Sequence, residues 1–146
     1  MLRDPSLVPL SRQHQHALAL CTLIERRRAG PEELERKTRD LYEVELRHHI
    51  DIEERILFPA IREGLAPAPL VEQLVAEHRE MERLVAGLPQ TLEQFAAALR
   101  SHIEREERDL FEDIQKRLPR EVLDRLGRVI HAEVVRICLS RPAAEQ

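Results

Sequence analysis

Two short segments of this sequence place a histidine and a glutamate four residues apart. His49 and Glu53 form the first pair, and His102 and Glu106 form the second, 53 residues further along the chain. On an α-helix a step of four residues turns about 400° and rises about 6 Å, so both members of a pair project from one face. They can touch one metal ion together, or one can bind an ion while the other bridges to a second. The repeated pair therefore predicts a paired metal site.

A second repeated pattern surrounds two single histidines. Apolar residues flank His14 at the same spacing as they flank His78, 64 residues later. His16 is the rival of His14, but it lies about 200° away on a helix and lacks that spacing. Six candidate metal ligands thus fall into two equivalent halves: His14, His49, Glu53, His78, His102 and Glu106.

The donor types of this set favour a dinuclear non-haem iron centre. Imidazole suits iron, zinc, copper and nickel, while a carboxylate is hard enough for iron or manganese and can bridge two ions. Zinc is an alternative because it accepts the same donors, although a structural zinc site needs only four of them. Two buried glutamates are costly when charged and unpaired, so cations that neutralise them are expected.

Prolines and glycines divide the chain into pieces of helical length with a period of 3.6 residues, which predicts an all-α protein. Four repeated helices joined by short turns predict an up-down-up-down bundle. We expect these helices over about 11–28, 31–62, 70–86 and 91–118, and an additional C-terminal helix over about 120–139. The predicted organisation is an N-terminal arm (1–9), the bundle (10–118), and a C-terminal helix and frayed tail (119–146).

Three local expectations accompany these helices. Pro59 should bend or fray the end of the second helix, and Thr91 with Gln94 is typical of a capping box at the start of the fourth. The C-terminal helix is amphipathic, so it should pack against the bundle or against a partner chain, as in a homodimer.

Composition excludes several classes of function. A net charge of −4 and a pI near 6.0, with no unopposed basic face, argue against nucleic acid as a partner. No apolar run is long enough to cross a bilayer, and the amino terminus lacks the apolar stretch of a secretory signal, so a cytoplasmic protein that does not enter membranes is expected. Cys21 and Cys138 lie in helical apolar patterns and are expected to be buried thiols.

The order of these motifs resembles that of the hemerythrin-like, or HHE cation-binding, domain family over about residues 10–118. A lone histidine, His-x-x-x-Glu followed by Leu57-Phe58-Pro59, a second lone histidine and a second His-x-x-x-Glu follow one another along the chain. The second block departs from the pattern, since Phe111 is followed by Glu112 rather than by proline.

This resemblance implies a four-helix bundle that holds two non-haem iron ions joined by an oxo or hydroxo bridge, with zinc or manganese as alternatives. It implies that Glu53 and Glu106 bridge the ions. His14 and His49 would then ligate one ion, and His78 and His102 the other.

The resemblance also implies a function: binding or sensing of dioxygen, nitric oxide, peroxide or iron. Oxygen-carrying members have a further histidine one turn after the third-helix histidine, where this chain has Glu82. Glu82 could be a weak ligand, or the position could stay open. The alternatives are an enzyme that turns over peroxide or nitric oxide, and a regulatory module whose metal occupancy controls partner binding through the fifth helix.

Several neighbouring residues are assigned less central roles. Tyr42 could hydrogen-bond to a ligand or could be a core aromatic like its counterpart Phe95, and Asp109 could orient a histidine or be an edge charge. Glu54 and Glu107 are expected to be solvated charges, because they point about 140° from the ligand histidines. His48 and His131 are expected to be non-ligands.

Overall fold

The computed structural model describes residues 2–140, which form five helices and no strand. We number the helices α1 (Val8–Glu25), α2 (31–65), α3 (Pro69–Ala86), α4 (92–117) and α5 (Arg120–Ser140). The all-α prediction of a four-helix bundle with an additional C-terminal helix is confirmed. The predicted frayed tail spans 140–146: Ser140 is instead the last residue of α5, and residues 141–146 lie outside the described part of the chain.

Two of the bundle helices contain π-helical segments, in which the hydrogen-bonded turn is wider by one residue. In α2 the successive segments are Pro31–Leu41 (α), Tyr42–Leu46 (π), Arg47–Ile52 (α), Glu53–Leu57 (π) and Phe58–Leu65 (α). In α4 they are Leu92–Arg105 (α), Glu106–Phe111 (π) and Glu112–Arg117 (α). One π segment in each half therefore begins at the glutamate of the repeated pair.

The helix ends differ from the sequence expectations in several places. The first helix ends at Glu25, not near residue 28. The first helix begins at Val8, not near Ser11, because Pro9 falls in its first turn, where the missing N–H costs no hydrogen bond. The second helix continues past Pro59 to Leu65, since this proline stands where the π segment returns to α-helix. Thr91 is the N-cap of α4, but the predicted capping box is absent: its hydroxyl donates to the carbonyl of Leu84 instead.

The apolar core has two parts, and their membership reveals the topology. One part, the α5-side core, includes Leu10, Leu74 and the inward face of α5; the other, the distal core, includes Ala17 and Met81. Along α1 and α3 the chain passes from the α5-side core to the distal core, and along α2 and α4 it passes back. The four helices thus run up-down-up-down, and each crosses the middle layer between the two cores.

The fifth helix packs onto its own bundle. Leu123, Leu126, Ile130 and Ile137 are buried in the α5-side core, whereas Val129 is 43% exposed. Arg120 makes two hydrogen bonds to the carboxylate of Asp4, which ties the start of α5 to the N-terminal segment. Within the described residues, no helix is both long and apolar enough to span a membrane.

Candidate metal centre

The six residues proposed from the sequence come together in the middle layer of the bundle. They are His14 on α1, His49 and Glu53 on α2, His78 on α3, and His102 and Glu106 on α4. Each is at most 3% exposed. They form two sets that share both glutamates, and the potential ligand atoms of each set lie within 4.8 Å of one another. The expected choice of His14 over His16 agrees with this placement, since His16 is exposed and pairs with Glu45.

Each glutamate directs one oxygen to each half of the centre. Oε2 of Glu53 is 3.3 Å from Nε2 of His49, and its Oε1 is 3.1 Å from Nε2 of His78. Oε1 of Glu106 is 3.3 Å from Nε2 of His14, and its Oε2 is 3.1 Å from Nε2 of His102. Donor atoms around one ion with bonds of about 2.0 to 2.2 Å are separated by about 3.0 to 3.4 Å. The spacing within each set therefore fits coordination of a metal ion, and the two sets share both carboxylates.

The inward atoms of this layer make no hydrogen bonds with the described residues. Both oxygens of Glu53 and of Glu106, and Nε2 of His14, His49 and His78, are buried without such a partner. Burying an ionised carboxylate without a hydrogen bond or a counter-charge is costly. Cations at the centre of the layer would supply the missing partners of all these atoms at once, so the residues present fit a metal.

The pKa shifts of His14, His102 and Glu53 favour the protonation states that ligate a cation. Burial lowers the pKa of His14 and of His102, which favours neutral imidazole. Burial alone would raise the pKa of Glu53, but its contacts with His49 and His78 outweigh that effect and hold the pKa below its ordinary value. Neutral histidine and ionised glutamate are the forms that bind metal.

The outward nitrogen, Nδ1, of each of the four histidines has its own acceptor. A Nδ1–H that donates to such an acceptor fixes the ring orientation and leaves the lone pair of Nε2 facing the centre. The Nδ1-to-oxygen distances are 2.6 Å for His14 to Glu107, 2.8 Å for His49 to Gln13, 2.6 Å for His78 to Glu54 and 2.8 Å for His102 to Glu77.

The expectation that Glu54 and Glu107 are merely solvated charges is wrong. Directions around a single helix do not reveal these contacts, because each glutamate meets a histidine of the neighbouring helix. Gln13 and Glu77 were missed altogether. A signal for them exists in the sequence, because each of them immediately precedes the lone histidine of its half.

A phenylalanine stacks on the lone histidine of each half. The rings of Phe111 and His14 lie 5.6 Å apart at 18°, and those of Phe58 and His78 lie 5.9 Å apart at 11°. Both phenylalanines are fully buried. They close the α5-facing side of each histidine ring with apolar surface, which gives a structural reason for the repeated Leu-Phe sequence.

Three further candidates lie away from the cluster. Glu82 is exposed and pairs with Arg79, and Asp109 is exposed and pairs with Arg108, so Asp109 is an edge charge. Tyr42 packs in the distal core, as does its counterpart Phe95.

His131 is exposed and His48 is partly exposed, and neither belongs to a ligand set. Of the two cysteines, Cys21 is buried as expected, but Cys138 is exposed because only one face of α5 is covered.

Fold and site together define a class of protein: a helical bundle whose interior presents two adjoining sets of groups suited to hold a metal ion. Comparison with protein families agrees with this class. The profile of the hemerythrin HHE cation binding domain matches residues 8–114, and the chain belongs to this family. Comparisons with curated proteins and with solved structures gave no significant match.

Proposed function

We propose that this protein holds two non-haem iron ions and uses them to bind a small ligand, namely dioxygen, nitric oxide or peroxide, or to sense iron or oxygen. The observation that carries the proposal is the pair of shared glutamates, each with one oxygen toward each histidine pair. In this scheme His14 and His49 ligate one ion, His78 and His102 ligate the other, and Glu53 and Glu106 bridge them.

The chain offers each ion four protein donor atoms. Four donors complete a tetrahedral zinc ion but leave vacancies on an iron that accepts more ligands. Iron bound here would supply redox chemistry and open positions for a small molecule. The protein's contribution is to hold the imidazoles through their Nδ1 acceptors and to enclose the middle layer between the two apolar cores.

Loading with ferrous iron under anaerobic conditions tests the proposal. We expect about two iron ions per chain, one for each ligand set, and near-ultraviolet absorption that develops on exposure to air. Glu106→Ala should abolish the paired centre, whereas His131→Ala, on the exposed face of α5, should leave it intact. A colourless product with little metal, or one that binds zinc and rejects iron, would contradict the proposal.

A second candidate function is the turnover of peroxide or nitric oxide. It is supported by the exposure of Glu82, which leaves the third-helix position without a further inward ligand. Fewer protein ligands leave more room for a reacting molecule at the metal. Peroxide decay measured with iron-loaded and metal-free protein separates turnover from simple binding. A regulatory role through α5 has less support, because most of the apolar face of that helix is covered by its own bundle.

A further inference from the structure

The two halves of the centre differ in the groups that accept hydrogen bonds from the histidines. His14, His78 and His102 each have a carboxylate as the partner of Nδ1, whereas His49 has the side-chain amide of Gln13. The half built on His78 and His102 therefore has two anionic acceptors. The half built on His14 and His49 has one anionic and one neutral acceptor.

The difference arises at a single repeated position. Gln13 precedes His14, and Glu77 precedes His78, so the duplicated sequence carries an amide in one half and a carboxylate in the other. Both side chains reach the histidine of the neighbouring helix at the same distance of 2.8 Å. The geometry is preserved while the charge is not.

Arginines on the outer side moderate the difference but do not remove it. Glu77 pairs through Oε2 with Arg105 at 2.7 Å, while its Oε1 faces His102. Glu54 pairs with Arg79 in the same half, and Glu107 pairs with Arg3 in the other. Every carboxylate acceptor thus has one arginine partner. The amide of Gln13 remains the one uncharged acceptor of the four.

We infer that the two metal positions are inequivalent: the His78/His102 position binds a divalent cation more tightly and fills first, and Gln13 is the positioning residue that weakens the other position. This inference rests on the proposed function, because it assumes that both positions hold cations. An anionic acceptor raises the basicity of a ligating imidazole more than a neutral amide does. His49, whose Nδ1 partner is the neutral amide of Gln13, is therefore the weakest metal donor of the four histidines.

Titration of metal-free protein with Co²⁺ alone, followed by visible absorption and calorimetry, tests the inference. Two ions that share bridging carboxylates repel each other, so two binding steps are expected in any case. The informative quantity is the ratio of the dissociation constants of the two steps, and the change that each substitution makes in this ratio. Gln13→Glu should strengthen the weaker step about tenfold, and Glu77→Gln should weaken the tighter step about tenfold.

The double exchange of Gln13→Glu with Glu77→Gln provides a rescue. It moves the neutral acceptor from one half to the other, so the wide separation of the two steps should return. Gln15→Glu is the matched control, because Gln15 lies on the same helix but is exposed. It adds the same charge without the hydrogen bond to His49, and it should leave both steps unchanged.

The outcomes distinguish this inference from the function on which it rests. If the native chain binds two cobalt ions but Gln13→Glu and Glu77→Gln leave the step ratio unchanged, or if Gln15→Glu changes it equally, the inference is overturned and the paired site stands. If the native chain binds no cobalt, both fall together. The inference is supported if the ratio of the two dissociation constants becomes smaller in each single variant and returns toward the native ratio in the double variant.

Discussion

Oε2 of Glu54 lies 2.6 Å from Nδ1 of His78, although the glutamate belongs to α2 and the histidine to α3. The same relationship joins Glu107 of α4 to His14 of α1, also at 2.6 Å. In both halves, the glutamate that follows the shared carboxylate in sequence holds the lone histidine. The two adjacent glutamates therefore have different roles: the first faces the candidate metal positions, and the second orients a histidine that is a candidate ligand.

Replacing Glu54 by Gln should weaken metal retention without removing the site. The substitution removes the anionic partner of His78 but no ligand, and loss of such a partner typically reduces metal affinity about 10- to 100-fold. Competition of the loaded protein against a chelator measures the loss. Glu82→Gln is the control, since Glu82 pairs with the same Arg79 but does not touch His78. Equal retention in both variants would contradict a positioning role for Glu54.

The clustering of the six central residues could be predicted because a bundle helix buries one face and the repeat supplies a second copy of each candidate ligand. The spacing of apolar residues around His14 distinguishes it from His16 in the sequence. In the structure His14 is buried and His16 is exposed. Periodicity within one helix contains that information.

The acceptors of the histidines could not be predicted in the same way. Gln13, Glu54, Glu77 and Glu107 each meet a histidine of a different helix. Such contacts depend on how far one helix is displaced along its neighbour, and the periodicity of a single helix does not determine this displacement. Each acceptor nevertheless adjoins a candidate ligand in sequence, and their repetition in both halves was a usable signal.

Metal binding should stabilise the fold, and Glu106→Gln should abolish that effect. At free metal about 100-fold above the dissociation constant, a ligand that binds only the native state adds about 2.7 kcal/mol. In the absence of metal, Glu106→Gln should make the protein more stable than the native chain, because it removes a buried charge that has no hydrogen-bond partner. Thermal unfolding with and without metal tests both effects. A metal-dependent rise in the unfolding temperature that persists in the variant would contradict the proposed role of Glu106.

Gly127 allows α5 to approach the N-terminal segment closely. A Cβ added at Gly127 would lie 2.9 Å from Cα of Ser6, a backbone atom that cannot rotate away. Gly127→Ala should therefore lower the free energy of unfolding by about 1 to 3 kcal/mol, as measured by denaturant titration. Gly30→Ala is the comparison, because nothing lies within 4 Å of its added Cβ, and it should stay within about 0.5 kcal/mol of the native chain. Equal stability of the two variants would argue against this contact.

The Asp4–Arg120 pair should make the free energy of unfolding depend on pH in the acidic range. Hydrogen bonds from Arg120 hold the pKa of Asp4 below its ordinary value of 3.8, against the opposing effect of burial and with help from Ser6. A depressed folded-state pKa stabilises the protein above the ordinary pKa, and this contribution is lost as the pH falls toward the folded-state value. Asp4→Asn should therefore be less stable than the native chain near neutral pH, and the difference should shrink below about pH 4.

Denaturant unfolding at several pH values measures that difference. Asp124→Asn is the matched control, because Asp124 pairs with the same arginine but is half exposed, and exposed ion pairs contribute little. A difference between Asp4→Asn and the native chain that stayed constant down to strongly acidic pH would exclude ionisation of Asp4 as its cause.

The two cysteines should differ sharply in reactivity. Cys21 is fully buried in the distal core, and its thiol lies 3.5 Å from the carbonyl oxygen of Ala96. Burial raises the pKa of Cys21 to about 11, so the reactive thiolate is scarce near neutral pH. Cys138 is exposed on α5. At one mildly alkaline pH, a thiol reagent should modify the accessible Cys138 rapidly and Cys21 only after unfolding. Cys138→Ser should abolish the rapid phase; a rapid phase that survives in this variant would mean that the packing around Cys21 opens in the native protein.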